Sequence, residues 1–122
     1  MWQEIISTIE RHQTFILTTH VNPDCDAFGS ELALAEHLRK LGKKVSIINS
    51  DSIPAPYRFL DPKRQVKKYS VTKHRGVLKK CDVVIVLDAS GGWGRTGRIG
   101  ENLAKTDALK LCIDHHPDSA DF

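Results

Sequence analysis

The sequence predicts an α/β fold, a doubly wound, mostly parallel sheet with flanking helices, and three observations predict it. Short apolar runs (FILTT, KVSIIN, DVVIVL, LKLCI) alternate with stretches of helical periodicity. One run, Asp82 to Leu87, is continuously apolar after its first residue, as in strands buried on both faces. Three runs end directly in histidine or aspartate, and open parallel sheets bind ligands just beyond the C-terminal ends of their strands.

The elements follow in order. Trp2, Ile5, Ile6 and Ile9 fall at i, i+3, i+4 and i+7, which marks an amphipathic helix ending near His12. Phe15 to Thr19 reads as a strand, and the stretch HVNPDCDAFGS (His20 to Ser30) follows it on the C-terminal loop. A helix is expected to start near Gly29, traced by Leu34, Leu38 and Leu41 and stopped by Gly42. Lys44 to Asn49 is the second strand. Pro54, Pro56 and Pro62 then break the chain into loop, with one helical turn at Tyr57 to Leu60. Gln65 to Ser70 is a short edge strand and Asp82 to Leu87 a central one. Glycine-rich sequence from Gly91 to Gly100 leads into a helix, Arg98 to Thr106, and a last strand, Leu109 to Ile113, that ends at Asp114-His115-His116.

Composition bounds the function. A chain of 122 residues suits one domain and buries roughly two thirds of its unfolded surface. No apolar run approaches the ~20 residues that span a bilayer, and Met1 to His12 carries Glu4, Glu10 and Arg11 where a signal peptide has its apolar core. A cytoplasmic location without membrane contact is expected. The three cysteines, Cys25, Cys81 and Cys112, are widely spaced, which argues against a disulfide framework and a structural zinc site. The net charge is only +3, but Arg58, Lys63, Arg64, Lys67, Lys68, Lys73, Arg75, Lys79 and Lys80 face only Asp61 in sequence. Such a run is a solvated face or a rim that attracts polyanions. Tyr57, Phe59 and Tyr69 interleave it too thinly for a stacking platform.

The chemistry sits at the strand ends. His20, Asp24, Asp26, Asp88, Asp114, His115 and His116 supply carboxylates and imidazoles that repel or titrate one another unless a cation joins them. Mixed His and Asp donors without Cys suit a borderline-to-hard divalent ion such as Mn²⁺, and so many donors fit two ions better than one. Two ions sharing a carboxylate can activate a water and clamp a phosphoryl group in an in-line displacement, so phosphoester hydrolysis is the reaction expected. Ser30 and the first amides of the following helix offer neutral donors to a phosphate, and Gly29 permits close approach. Singly, each residue has an ordinary explanation: Asp24 and Asp26 as N-caps, Asp88 as a strand end, His20 as a half-buried histidine. The combination carries the reading.

HVNPDCDAFGS, VIVLDAS and DHH, in this order and at these spacings, resemble the first three motifs of the DHH phosphoesterases. That family includes RecJ-like exonucleases, family II inorganic pyrophosphatases, exopolyphosphatase-related proteins and the oligoribonuclease/pAp phosphatase group. LTTHVNPDCDAFGS and ALAEHLRKLGKKVSIIN look most like the last group. The resemblance implies that His20 and Asp24 bind one Mn²⁺, that Asp26 and His115 bind a second, and that Asp88 bridges them. It also implies that His116 faces the substrate phosphate as electrophile or proton donor, that Asp114 orients the site, and that Arg98 touches phosphate.

Three features depart from the family pattern. Cys25 stands where relatives usually carry glycine, as a small tolerated residue or, alternatively, an oxidation-sensitive switch. Gly92, Gly94 and Gly97 spell G-x-G-x-x-G, but Asp88, Trp93 and Arg95 crowd the path of a dinucleotide pyrophosphate. Relatives also carry a fourth aspartate on a later strand and a C-terminal DHH-associated substrate domain. Residues 1–122 are therefore expected to form the N-terminal part of a DHH catalytic domain, weakly active alone, with exposed sheet edge that favours a homodimer.

The expected function of the intact protein is Mn²⁺-dependent hydrolysis of short oligonucleotides or pAp. Pyrophosphate, polyphosphate and cyclic dinucleotides are alternative substrates within the enzyme class. The rival class is a non-catalytic module that binds nucleotides or polyanions.

Overall fold

A computed structural model describes residues 2–89 and 91–115. Five strands form one parallel sheet in the order β3-β2-β1-β4-β5: β1 (Thr14–Thr18), β2 (Lys44–Asn49), β3 (Val66–Lys68), β4 (Val83–Leu87) and β5 (Leu109–Ile113). The order runs outward from β1 on both sides, so the chain reverses direction across the sheet between β1 and β4. That reversal opens a crevice at the C-terminal ends of those two strands. In register, Leu17 lies beside Ile47 on one side and Ile85 on the other.

The helices divide between the two faces. α1 (Trp2–Arg11) and α2 (Cys25–Lys40) cover one, where Ala35 and Leu38 pack with Phe15, Leu17, Ile47, Val83, Ile85 and Leu87. α3 (Val71–Lys80) and α4 (Arg98–Ala104) cover the other, where Leu78, Ile99 and Leu103 pack with Ile16, Ile48, Val84 and Val86. β4 is buried at every position, as its apolar sequence predicts.

The structure differs from the sequence reading at two helices. α2 starts at Cys25, four residues before the expected Gly29, because the Asp24 carboxylate accepts a hydrogen bond from Ala27 N (3.0 Å) and caps it. Gly29 therefore lies inside the helix. α3 runs through the basic stretch, where only Leu78 is buried and Gly76 interrupts the middle, so no apolar periodicity announces it. The proline-rich loop carries a 3-10 turn over Ala55–Leu60, and a second spans Trp93–Thr96.

The loop after β4 is pinned to the loops after β1 and β2. Val21 N donates to Arg95 O (2.7 Å), Ser50 Oγ donates to Thr96 O (2.6 Å), and Ile99 N donates to Ser50 Oγ (3.0 Å). Gly97, with φ of 77°, makes the approach feasible: a methyl there would lie 2.6 Å from Val21 Cγ1 and 2.8 Å from Ser50 Cβ. The G-x-G-x-x-G glycines thus serve a turn packed behind His20.

Candidate metal centre

The strand ends bring the motifs together. His20, Asp24 and Asp88 each place one donor atom within 4.8 Å of the others, and so do Asp26, Asp88 and His115. Asp88 belongs to both groups. Its Oδ2 lies 3.9 Å from His20 Nε2 and its Oδ1 2.9 Å from His115 Nε2, so the two oxygens of one buried carboxylate face the two groups. The residue has φ of 55°, a left-handed conformation costly outside glycine, and its N–H donates to Ile113 O (2.9 Å). β4 and β5 together hold that turn in place.

Each donor is aimed by its local structure. His20 Nδ1–H donates to Val21 O (2.6 Å), which leaves the lone pair on Nε2, the nitrogen nearer Asp88. Thr19 Oγ1 donates to Leu87 O (2.7 Å), tying the residue before His20 to the one before Asp88. Asp24 caps α2 and Asp26 stands in its first turn, where the helix dipole favours negative charge. His115 Nε2 lies 3.0 Å from Asp26 Oδ2, and its backbone N–H donates to Asp114 Oδ1 (2.9 Å).

These residues fit divalent ions. Three carboxylates crowd one crevice, and the proton on exposed His115 is held there chiefly by its hydrogen bond to Asp26, with Asp88 adding to it, which raises its pKa above the ordinary value. A proton is thus drawn to a place where the same electrostatics would hold a cation. Hard oxygen donors with imidazole nitrogens match a borderline-to-hard divalent ion. The first group includes the half-buried His20, whereas Asp26 and His115 leave the second open to solvent.

The remaining expected site residues are placed unevenly. Ser30 is half-buried in α2 four residues after Asp26, one turn along on the same helix face. Arg98 opens α4 and is exposed. Neither belongs to the two donor groups. His116 lies outside the described residues. Cys25 is exposed at the first position of α2, between Asp24 and Asp26.

Beneath the centre lies a supporting layer that no sequence motif announces. Asn49, at the end of β2, accepts from Thr18 Oγ1 (3.3 Å) and Thr19 N (3.2 Å) and donates through Nδ2 to Glu31 Oε1 (2.9 Å). Glu31 is fully buried, and burial pushes its carboxyl up to about 8. It sits on the apolar stripe of α2, between Phe28 and Ala35, where a carboxylate is out of place, and that misplacement is the one signal the sequence offers.

Comparison with known proteins gives the family. Residues 14–122 match the model of the DHH family, N-terminal domain. The chain belongs to the DHH family. It is 32% identical over 117 residues to the bifunctional oligoribonuclease and PAP phosphatase NrnA of Bacillus subtilis (strain 168), covering 96% of this chain and 34% of that protein. An exopolyphosphatase-related protein from Bacteroides fragilis has the same fold, with a TM-score of 0.84 and 25% identity over 93% of this chain and 34% of that one. The chain thus spans about a third of the length of both relatives. Among the described residues, no helix is long and apolar enough to cross a membrane.

Proposed function

We propose that this DHH chain supplies the metal centre of a Mn²⁺-dependent phosphoesterase that hydrolyses short oligonucleotides or pAp. The observation that carries this reading is the division of Asp88 between two donor groups. His20 and Asp24 would hold one ion, Asp26 and His115 the other, with Asp88 shared. Such a pair of ions would supply Lewis-acid charge stabilisation and a water of lowered pKa. The substrate class follows the Bacillus subtilis relative, named as an oligoribonuclease and PAP phosphatase.

The chain's own residues have separable roles in this reading. Asp88, held by the β4–β5 turn, fixes the spacing of the donors. Asp114 orients His115 through its backbone N–H. Ser30 and Arg98 would contact substrate phosphate, and His116 would face it as electrophile or proton donor. Residues 1–122 act as the N-terminal part of the catalytic domain, and the solvent-open Asp26–His115 group supports a further ligand from sequence beyond it.

Mn²⁺-dependent release of nucleotide or phosphate from short oligoribonucleotides and pAp tests this. A longer protein containing the chain should hydrolyse them, Asp88→Asn should abolish turnover, and the 122-residue chain should show little. No turnover by the longer protein would contradict the hydrolase reading. Robust turnover by the chain alone would contradict the domain assignment.

A further inference from the structure

The basic stretch from Arg58 to Lys80 is not one surface in the folded chain. Lys79 and Lys80 end α3 at the N-terminal edge of the sheet, where Lys80 O accepts from Thr14 Oγ1 (3.3 Å), opposite the metal centre. Arg58, Arg64, Lys67 and Lys68 instead line a cavity of about 500 Å³ together with Ser52 and Ile53. Its wall runs along β3, from Arg64 in the turn that enters the strand to Lys68 at its end, and Ser52 and Ile53 of the loop after β2 place one end of it on the edge that carries the metal centre. The loops that carry the two sites are also hydrogen-bonded to each other. Asp51, next to Ser52, accepts a hydrogen bond from Asn22 N (3.0 Å) in the loop between His20 and Asp24.

The cations of this cavity are available to a ligand. Among the described residues, none of the four makes an ion pair. Asp61 is the acid in the wall, and its two oxygens accept from Gln65 N (2.9 Å) and Val66 N (2.8 Å), so it is committed to shaping the turn. That turn presents Arg64 with φ of 53°, a left-handed conformation that few non-glycine residues adopt. The aromatic residues of the adjoining 3-10 turn are Tyr57 and Phe59 alone, and Tyr57 packs on Phe28 with ring centroids 6.2 Å apart. Phe59 is exposed, but neither ring lines the cavity, so a ligand within it is gripped by charge along its backbone rather than by base stacking.

We propose that this cavity binds the backbone phosphates of an oligonucleotide whose terminal phosphate lies at the metal centre. The inference rests on the phosphoesterase reading above and adds to it a second anchoring point, whose lining shares no residue with the metal centre.

Equilibrium binding of a labelled, hydrolysis-resistant phosphorothioate oligoribonucleotide to the chain in Mn²⁺, across a salt series, tests the proposal, with pAp as the short comparison. In a variant with Arg58, Arg64, Lys67 and Lys68 all changed to Gln, oligonucleotide affinity should fall at least about tenfold. The slope of log K against log salt should flatten by about 0.7 for each phosphate that the variant no longer neutralises. pAp affinity should not change, which also shows that the variant is folded. Equal oligonucleotide affinity and slope in the two proteins would overturn the proposal, as would a parallel loss of pAp binding in a variant that melts like the wild type. Absence of hydrolysis by the longer protein would remove the phosphoesterase reading while leaving this binding comparison intact.

Discussion

Asp26 and His115, 89 residues apart in sequence, meet at 3.0 Å between Oδ2 and Nε2. One stands in the first turn of α2 and the other just past β5, and the parallel order of the sheet delivers both to one edge. Their meeting defines the second donor group and separates it from the first. Substitutions should therefore divide the metal stoichiometry. Asp26→Ala should weaken only the ion held by Asp26 and His115, whereas Asp88→Ala should weaken both. Calorimetric titration with Mn²⁺ reads the difference, and identical isotherms for the two variants would contradict the shared role of Asp88.

Asp24 has two roles that chemistry can part. Its carboxylate caps α2 through Ala27 N and also belongs to the group with His20. Asn is an equally good N-cap but a poorer ligand. Asp24→Asn should leave metal-free stability nearly unchanged and weaken Mn²⁺ binding, while Asp24→Ala should in addition lose about 1 kcal/mol without metal. Urea unfolding in the presence of a chelator measures the cap alone.

Glu31 makes stability depend on pH. In the folded chain it keeps its proton up to about 8, against 4.5 as the ordinary value, so between those limits the folded state binds a proton that the unfolded state has released. Stability from this group is greatest below about pH 4.5 and falls as pH rises toward 8, by on the order of 3 kcal/mol at neutral pH. Glu31→Gln keeps an acceptor for Asn49 without the titration. Its melting temperature should exceed that of the wild type at about pH 8 and converge with it near about pH 5. Parallel melting curves across that range would show that Glu31 does not carry the proton.

Gly97 supports the loop behind His20. Its φ of 77° and ψ of −146° suit glycine almost exclusively, and a methyl would press on Val21 and Ser50. Gly97→Ala should cost about 3 kcal/mol from backbone strain and overpacking combined. It should also weaken Mn²⁺ binding, because Val21 O fixes the His20 ring. A loss under about 0.5 kcal/mol by urea unfolding would contradict the packing described.

The parts of this molecule legible in sequence are those with a strong local signature. The strands are apolar runs with sharp ends, so Lys44–Asn49 and Leu109–Ile113 can be read to the residue. The ligand candidates are polar residues directly after such runs, and their chain order alone implies a common edge. α3 leaves no comparable mark, because it is basic nearly all round and takes little of its stability from an apolar stripe. The start of α2 reads late in sequence because Asp24 suits a cap or a ligand equally, and in the fold it sits in position for both. The Glu31–Asn49 layer needs three-dimensional neighbours from β1, β2 and α2 to be recognised. The grouping of Arg58, Arg64, Lys67 and Lys68 in one cavity likewise depends on how the loop between β2 and β3 folds back along β3.

Binding of Mn²⁺ also reports on folding. An ion that binds only the folded chain stabilises it by mass action, by about 2.7 kcal/mol at one hundred times its dissociation constant. The measurement that tests the central claim most directly is therefore the thermal melt of the chain and of Asp88→Asn with and without millimolar Mn²⁺. The wild type should melt several degrees higher with the metal. Asp88→Asn should show no shift with it. An equal Mn²⁺ shift in both proteins, or none in the wild type, would contradict a metal centre built around Asp88.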